Sequence, residues 1–172
     1  KERLSLVQID VGSNESVQGA AGKLQQDGIN LSAIVNNAGI GFCTDPDSVE
    51  ELMNVNFYGP KRVVEAFVPL LDTANGRIVN VSSGAASMWL RNQSEKNKAL
   101  FSSPESWDQL NEAVQQLMKG APIGGYGLSK AALTAYTILL SRQYPDMKCT
   151  SLSPGLINTK MTAQWSVRLT PD

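Results

Sequence analysis

Short apolar runs alternate with longer stretches of helical periodicity along the chain. The runs predict strands at residues 4–11, 31–35, 77–82 and 147–152. Apolar positions recur every three or four residues in the stretches 15–26, 48–71 and 126–143, which predicts amphipathic helices. Strands that alternate with crossover helices form a parallel sheet. The pattern therefore predicts a doubly wound α/β fold.

The predicted helix over residues 48–71 contains poor helix formers in its middle. Asn56, Gly59 and Pro60 all disfavour a regular helix, so we expect a break or a kink there.

A further helix is predicted between the third strand and the last helix. Residues 91–103 look polar and irregular, but Ser103 is a good N-cap and Pro104 suits a first helical position. The apolar stripe that follows ends near residue 121. We expect residues 1–172 to form one domain, with an inserted helical segment at about 91–121 that covers an apolar surface or meets a partner.

Composition excludes several kinds of chemistry. The 172 residues carry a formal net charge of −1, which suggests neither nucleic acid nor an anionic membrane as partner. The chain has no histidine, which removes Ser-His-Asp triads and HExxH zinc sites, and we predict no metal site. Any proton donor must be Tyr, Lys, Cys or a carboxyl group.

The cysteine content and the apolar runs of the sequence indicate the cellular compartment in which the protein is expected. Cys43 and Cys149 could form one bridge, but a reduced cytoplasmic setting fits this low cysteine use better. No stretch reaches 18 apolar residues, so we expect no transmembrane helix.

Tyr126 and Lys130 stand one helical turn apart and share a helix face. A nearby cation favours the phenolate and lowers the pKa of a tyrosine, which makes a proton donor without histidine. Chance pairing on a solvated face is the alternative. Tyr144 and Lys148 have the same spacing, but Pro145 between them prevents a helical turn.

Polar residues at strand ends and in the interrupted helix are further candidates, because ligands of such sheets bind beyond the strands' carboxyl ends. Ser83 could hydrogen-bond a substrate carbonyl, or simply open a loop. Asn56 could hold a water, or only mark the helix interruption. The turn at residues 36–39 has little side-chain bulk, so a flat ligand could approach its backbone. The alternative is an ordinary turn after a buried strand.

Together these motifs resemble the short-chain dehydrogenase/reductase family. The matching residues, in chain order, are Asn36-Asn37-Ala38-Gly39, Asn56-Phe57-Tyr58-Gly59, Ser83, Tyr126, Lys130, Pro154-Gly155 and Thr159. The resemblance implies a Rossmann-like fold and hydride transfer with a nicotinamide cofactor. It implies that Tyr126 is the acid-base, that Lys130 lowers its pKa and binds the ribose, that Ser83 binds the substrate oxygen and that Asn56 holds a relay water.

The resemblance also implies the cofactor-binding residues. Asp10 and Val11 match the position that contacts adenine, and Asn37, Ala38 and Gly39 pass the adenine side of the cofactor. The residues expected to flank the nicotinamide are Pro154, Gly155, Ile157 and Thr159.

The long interval from Ser83 to Tyr126 resembles that of the monomeric carbonyl reductases. That likeness implies NADP(H) rather than NAD(H), a small-molecule ketone, aldehyde, quinone or alcohol as substrate, and a monomer. The inserted helix would cover the face through which other family members dimerise.

The sequence departs from the family at both ends. The TGxxxGxG turn, the first two family strands and the last strand are missing, and residues 4–11 correspond to the family's third strand. We expect this segment alone to be inactive. The alternatives to an enzyme are a catalytically inactive relative that binds or regulates, and a truncated product with no independent function.

Overall fold

The computed structural model describes residues 4–41, 49–72, 74–119, 125–155 and 157. Within these ranges the chain forms a parallel sheet of three strands in the order β1–β2–β3. The strands are β1 (Ala33–Asn36), β2 (Arg77–Val81) and β3 (Lys148–Leu152). The predicted α/β class with parallel strands is thus confirmed, and Ile34 pairs with Ile78, which pairs with Cys149.

Helices connect the strands and cover one face of the sheet. They are α1 (Asn14–Gln26), α2 (Val49–Met53), α3 (Gly59–Phe67), α4 (Gly84–Arg91), α5 (Glu95–Ser102), α6 (Trp107–Met118) and α7 (Tyr126–Gln143). A π-helical turn (Asn54–Tyr58) joins α2 to α3, and a 3₁₀ turn (Val68–Leu70) follows α3. The expected break in the long helix is therefore a widened turn that keeps the helical path.

The core lies between the sheet and the α3/α7 layer. Ile78 of β2 is fully buried, as are Phe57 of the π turn and Leu133 of α7. Leu110 and Val114 bury the apolar stripe of α6 against the same core. Burial of these apolar side chains is the main favourable contribution to stability.

Residues 4–11 do not form the predicted first strand. Residues 4–10 have no regular structure, and the Leu4 and Leu6 side chains are 76% and 88% exposed. A strand needs a hydrogen-bonding neighbour, and in the described residues this run pairs with none, so its apolar composition alone does not make it a strand.

The polar stretch at residues 91–103 also differs from the prediction, because most of it is helix α5. The Ser94 hydroxyl caps that helix by accepting from the Asn97 N–H at 3.3 Å, and Phe101 anchors it in the core. The next helix begins at Trp107 with Ser106 as its N-cap, rather than at Pro104. Ser106 rather than the expected Ser103 therefore caps this helix, and its Oγ accepts from the Gln109 N–H at 3.2 Å.

Candidate active site

The side chains of Tyr126 and Lys130 meet at the start of α7. Tyr126 is the first residue of this helix and Lys130 follows one turn later, with its Nζ 5.7 Å from the centroid of the Tyr126 ring. The helix begins at Tyr126, as predicted, so the phenol stands at an end that faces the carboxyl edge of the sheet. Tyr144 lies just beyond the same helix, where no turn aligns it with Lys148.

Lys130 is a buried cation. The residue is 5% exposed, and its Nζ donates to the Val81 carbonyl at the end of β2 at 2.9 Å. Burial disfavours the charged form and lowers the pKa of Lys130 to about 8. The Lys130 amine therefore titrates just above the physiological range and still carries its charge at neutral pH, beside a phenol.

The π turn places the Asn56 side chain near Lys130. The Asn56 Oδ1 accepts from the Ile40 N–H at 2.9 Å, and its Nδ2 donates to the Ile40 carbonyl at 2.8 Å and to Ser129 Oγ at 3.2 Å. The amide thus fixes the segment after β1 against α7. A Cβ placed on Gly39 would lie 3.1 Å from Asn56 Oδ1 and 3.5 Å from Lys130 Nζ, so only a glycine leaves this approach open.

The two serines after β2 take different roles. The Ser82 Oγ lies within hydrogen-bond distance of the Lys130 carbonyl, at 3.1 Å, and of Thr134 Oγ1, at 2.8 Å, so it ties the end of β2 to α7. Ser83 is the N-cap of α4, and its Oγ accepts from the Ala85 N–H at 3.2 Å. Accepting that bond leaves the O–H proton of the half-buried Ser83 for another acceptor.

Asp10 and Val11 lie in the loop before α1, and the π turn anchors this loop. Asn54 Nδ2 donates to the Gly12 carbonyl at 3.1 Å, and Arg62 bridges the Asn54 side chain and the Val11 carbonyl. Sequence reasoning missed Asn54 and Arg62. Nothing in the sequence marks them, because both act on backbone groups some 40 to 50 positions away.

The remaining candidates border the carboxyl edge of the sheet. Asn37 and Ala38 follow β1 and are exposed, whereas Gly39 is partly buried. Beyond β3, Pro154 and Gly155 are exposed, and Gly155 has a φ of 81°, which favours glycine. Ile157 is partly buried, and Thr159 lies outside the described residues.

A buried amide network connects the strands beneath the site, and it too was missed. Asn36 donates to Asn80 at 2.8 Å, and Asn80 donates to Thr137 Oγ1 at 2.8 Å. Asparagine inside two neighbouring strands was the available signal, since strands disfavour this residue. The network fixes β1, β2 and α7 relative to one another.

The tryptophans near the site serve packing. Trp89 packs on Phe101 with ring centroids 5.2 Å apart, and Trp107 stacks on Phe57 at 5.1 Å. Leu90 and Ser83 border a cavity of about 190 Å³ between α4, α7 and β3. Trp165 lies outside the described residues.

Comparison with known proteins decides the family. The model of the short chain dehydrogenases matches residues 1–95, which is more than half of the chain. The chain belongs to the short-chain dehydrogenase family. The two asparagine motifs and Ser83 fall within the matched residues of this family model, whereas Tyr126 and Lys130 follow them.

Relatives in the short-chain dehydrogenase family include reductases of small molecules. The chain is 30% identical to the (+)-neomenthol dehydrogenase of Arabidopsis thaliana over 93% of its own length and 67% of that protein. It is 27% identical to carbonyl reductase [NADPH] 1 of Mus musculus over 90% and 63% of the respective lengths. The chain thus spans about two thirds of these relatives.

A solved structure supports the fold. Salutaridine reductase from Papaver somniferum superposes with a TM-score of 0.79 at 24% identity, over 95% of this chain and 72% of that one. At this identity the likeness establishes a shared fold alone.

Two kinds of feature are absent from the described residues. Cys, Asp and Glu side chains form no group of three there that could hold a metal ion. None of the helices in that part of the chain is both long and apolar enough to span a bilayer.

Proposed function

We propose that this chain carries the catalytic half of an NADPH-dependent short-chain reductase that reduces a ketone, aldehyde or quinone. The observation that carries the proposal is the buried Lys130 ammonium, which contacts the Tyr126 ring and lies beside Asn56. A relative of this family named for NADPH and for carbonyl reduction supports the choice of cofactor and substrate.

Tyr126 is the proton donor of this proposed reaction. A phenol with an ordinary pKa near 10 is a slow acid at neutral pH, and a cation beside it favours release of the proton. As the substrate carbonyl gains electron density, its oxygen takes the Tyr126 proton. The Lys130 charge stabilises the phenolate that remains, and its link to the Val81 carbonyl holds the ammonium in place.

Ser83 and Asn56 complete the proposed site. The Ser83 O–H donates to the same carbonyl oxygen and so stabilises its developing negative charge. Asn56, whose amide fixes the Ile40 backbone, supports a relay water behind Lys130 that returns a proton to the site.

The described residues fit the nicotinamide and ribose part of NADP(H), which supplies hydride when bound. The opening at Gly39 leads to Lys130 Nζ, which suits ribose hydroxyl groups. We assign Asp10 and Val11 to the adenine, Asn37, Ala38 and Gly39 to the adenine side of the cofactor, and Pro154, Gly155, Ile157 and Thr159 to the nicotinamide. Among the described residues, no glycine-rich strand-to-helix turn is present to hold the pyrophosphate.

We further propose that the protein is a cytoplasmic monomer of one domain, with α5 and α6 as an inserted helical segment. The support for the monomer and for the inserted segment is the Trp107 side chain, which packs α6 onto Phe57 and Tyr136. A stable tetramer in light scattering would contradict the monomer, and cell fractionation tests the compartment.

Replacing Tyr126 tests the proposed chemistry. In the longest natural form of the protein that contains this chain, Tyr126→Phe should remove carbonyl reduction by NADPH, because phenylalanine has no proton to give. The readout is NADPH oxidation with a ketone, an aldehyde and a quinone.

Tyr144→Phe is the matched control, since Tyr144 has the same spacing to a lysine without the helical turn. This variant should keep wild-type activity. A Tyr126→Phe enzyme with near-normal turnover would exclude Tyr126 from the reaction.

A binding or regulatory protein without catalysis is the second candidate function. It is favoured by the lack of a glycine-rich phosphate turn among the described residues. The coding sequence upstream of Lys1 discriminates between the two: an in-frame strand followed by TGxxxGxG supports the enzyme, and a start codon near Lys1 supports the second candidate.

A further inference from the structure

Gly127 is an unusual choice for its position. It occupies the first turn of α7, directly after Tyr126, where alanine would form a better helix. A Cβ added there would lie 2.7 Å from the Trp89 Cβ and 3.2 Å from the Ala85 carbonyl oxygen, both on α4. Real side chains do not approach so closely, so the missing side chain lets the two helices touch backbone to backbone.

One of the two α4 residues that meet Gly127, Ala85, belongs to the turn that Ser83 caps. The Ser83 Oγ accepts from the Ala85 N–H at 3.2 Å, and its carbonyl accepts from the Ala86 N–H at 3.0 Å. Ala85 therefore fixes Ser83 from one side and contacts Gly127 from the other. The first turns of α4 and α7, which carry the Ser83 and Tyr126 hydroxyl groups, approach each other at this contact.

Helix α4 has little room to move away. The Trp89 ring packs on Phe101, which is only 3% exposed and belongs to the core. Ser82 is tied to the Lys130 carbonyl at 3.1 Å, so the chain just before α4 is also fixed to α7. A side chain at position 127 would therefore press on Trp89 and on the Ala85 carbonyl, close to Ser83, in a helix that cannot move away as a whole.

We propose that Gly127 is a positioning residue, and that its bare backbone sets the separation of the Ser83 and Tyr126 hydroxyl groups. The assignment rests on the proposed function, in which both groups bind one carbonyl oxygen. The added Cβ requires a shift of roughly 1 Å to reach normal contact, and a displacement of that size at reacting groups costs up to about 100-fold in rate.

Gly127→Ala in the longest natural form of the protein tests this role. We expect kcat for carbonyl reduction to fall between ten- and 100-fold. The dissociation constant for NADPH should stay within threefold, and the pH at which kcat is half-maximal should not move, because the Lys130 contacts are untouched. A general loss of folding would instead reduce the active fraction and leave kcat per active site unchanged, which titration with tightly bound cofactor separates.

Gly19→Ala is the matched control. Gly19 is also a helical glycine, in α1, but a Cβ there meets nothing within 4 Å. This variant should raise the melting temperature and keep kcat, whereas Gly127→Ala should lower the melting temperature despite the better helix propensity of alanine.

The outcomes distinguish the two proposals. An active parent enzyme whose Gly127→Ala variant keeps full kcat would overturn the positioning role alone. A parent that reduces no carbonyl compound would overturn the proposed function and the role of Gly127 with it.

Discussion

Lys130 shows how burial and charge oppose each other at a single residue. Its ammonium has one described carbonyl partner, that of Val81, and almost no contact with water. Removing a cation from water costs free energy, which a hydrogen bond to a neutral carbonyl recovers only in part. The lowered pKa of about 8 expresses that cost, and the proposed function gives a reason to retain it.

The stability of the protein should therefore depend on pH through Lys130. Between pH 8 and pH 10.5 an unfolded lysine stays protonated while the buried one loses its proton, so the unfolded state binds more protons. In this window the wild type should gain about 3 kcal/mol of unfolding free energy relative to Lys130→Met as the pH rises. Urea denaturation of both proteins at pH 7, 8, 9 and 10 measures the difference.

Titration of other groups is common to both proteins and largely cancels in that comparison. Burial raises the pKa of Tyr58 and of the Cys149 thiol, so these groups act on the wild type and the variant alike. A difference that stays constant from pH 7 to pH 10 would contradict a buried, depressed Lys130.

At the scale of elements, helix α6 and the π turn support each other. The Trp107 ring stacks on Phe57 and meets the Tyr136 ring edge-on at 5.5 Å, and Lys61 Nζ lies 4.7 Å from its centroid. Tyr58 Oη donates to Asn111 at 2.8 Å. The inserted helix thus packs on the two residues that follow Asn56, which links it to the site.

Truncation of Trp107 tests this contact. Trp107→Ala should lower the free energy of unfolding by about 3 kcal/mol, the lower end for loss of a large aromatic ring, because this ring is only partly buried. Trp107→Phe should recover most of the loss. Chemical denaturation monitored by far-UV circular dichroism measures both.

Gln116→Ala is the control on the same helix. Its side chain is exposed and bonds only Glu112 at 3.3 Å among the described contacts, so a change within about 0.5 kcal/mol is expected. Equal losses for Trp107→Ala and Gln116→Ala would mean that the aromatic contact does not hold α6.

At the scale of the whole molecule, the described helices cover one face of the sheet, and no described residue covers the other face. Ile34 and Ile78 point into the core, whereas their neighbour Val35 is 61% exposed and Leu152 is 42% exposed. Within the described residues, β1 and β3 are also open edges. Parallel sheets are stable when both faces are covered, so the described residues by themselves make an incomplete layer structure.

The isolated 172-residue chain should therefore bind NADPH poorly and show no turnover. The pyrophosphate would lack the backbone N–H groups that a glycine-rich turn provides. Calorimetric titration of the purified chain measures the affinity, with the longest natural form as the reference. Micromolar binding by the isolated chain would refute this prediction.

Periodicity and residue chemistry were sufficient to predict an element or a site residue wherever the interaction that determines it is local. Helix α7 begins and ends as its sequence predicts, since Pro145 stops it and Tyr126 and Lys130 need only one helical turn to align. Strands β1, β2 and β3 follow from apolar runs that find partners. The family motifs can also be recognised from the sequence, because each occupies a strand end or a single helix.

Tertiary structure decided what depends on distant partners. Residues 4–11 have the composition of a strand, yet no described strand pairs with them. The burial of Lys130, the anchoring of the Val11 loop by Arg62 and the contact of Gly127 with Trp89 join groups far apart in the chain. Sequence patterns report a residue's own preferences, whereas burial and contact are properties of the residues that fold against it.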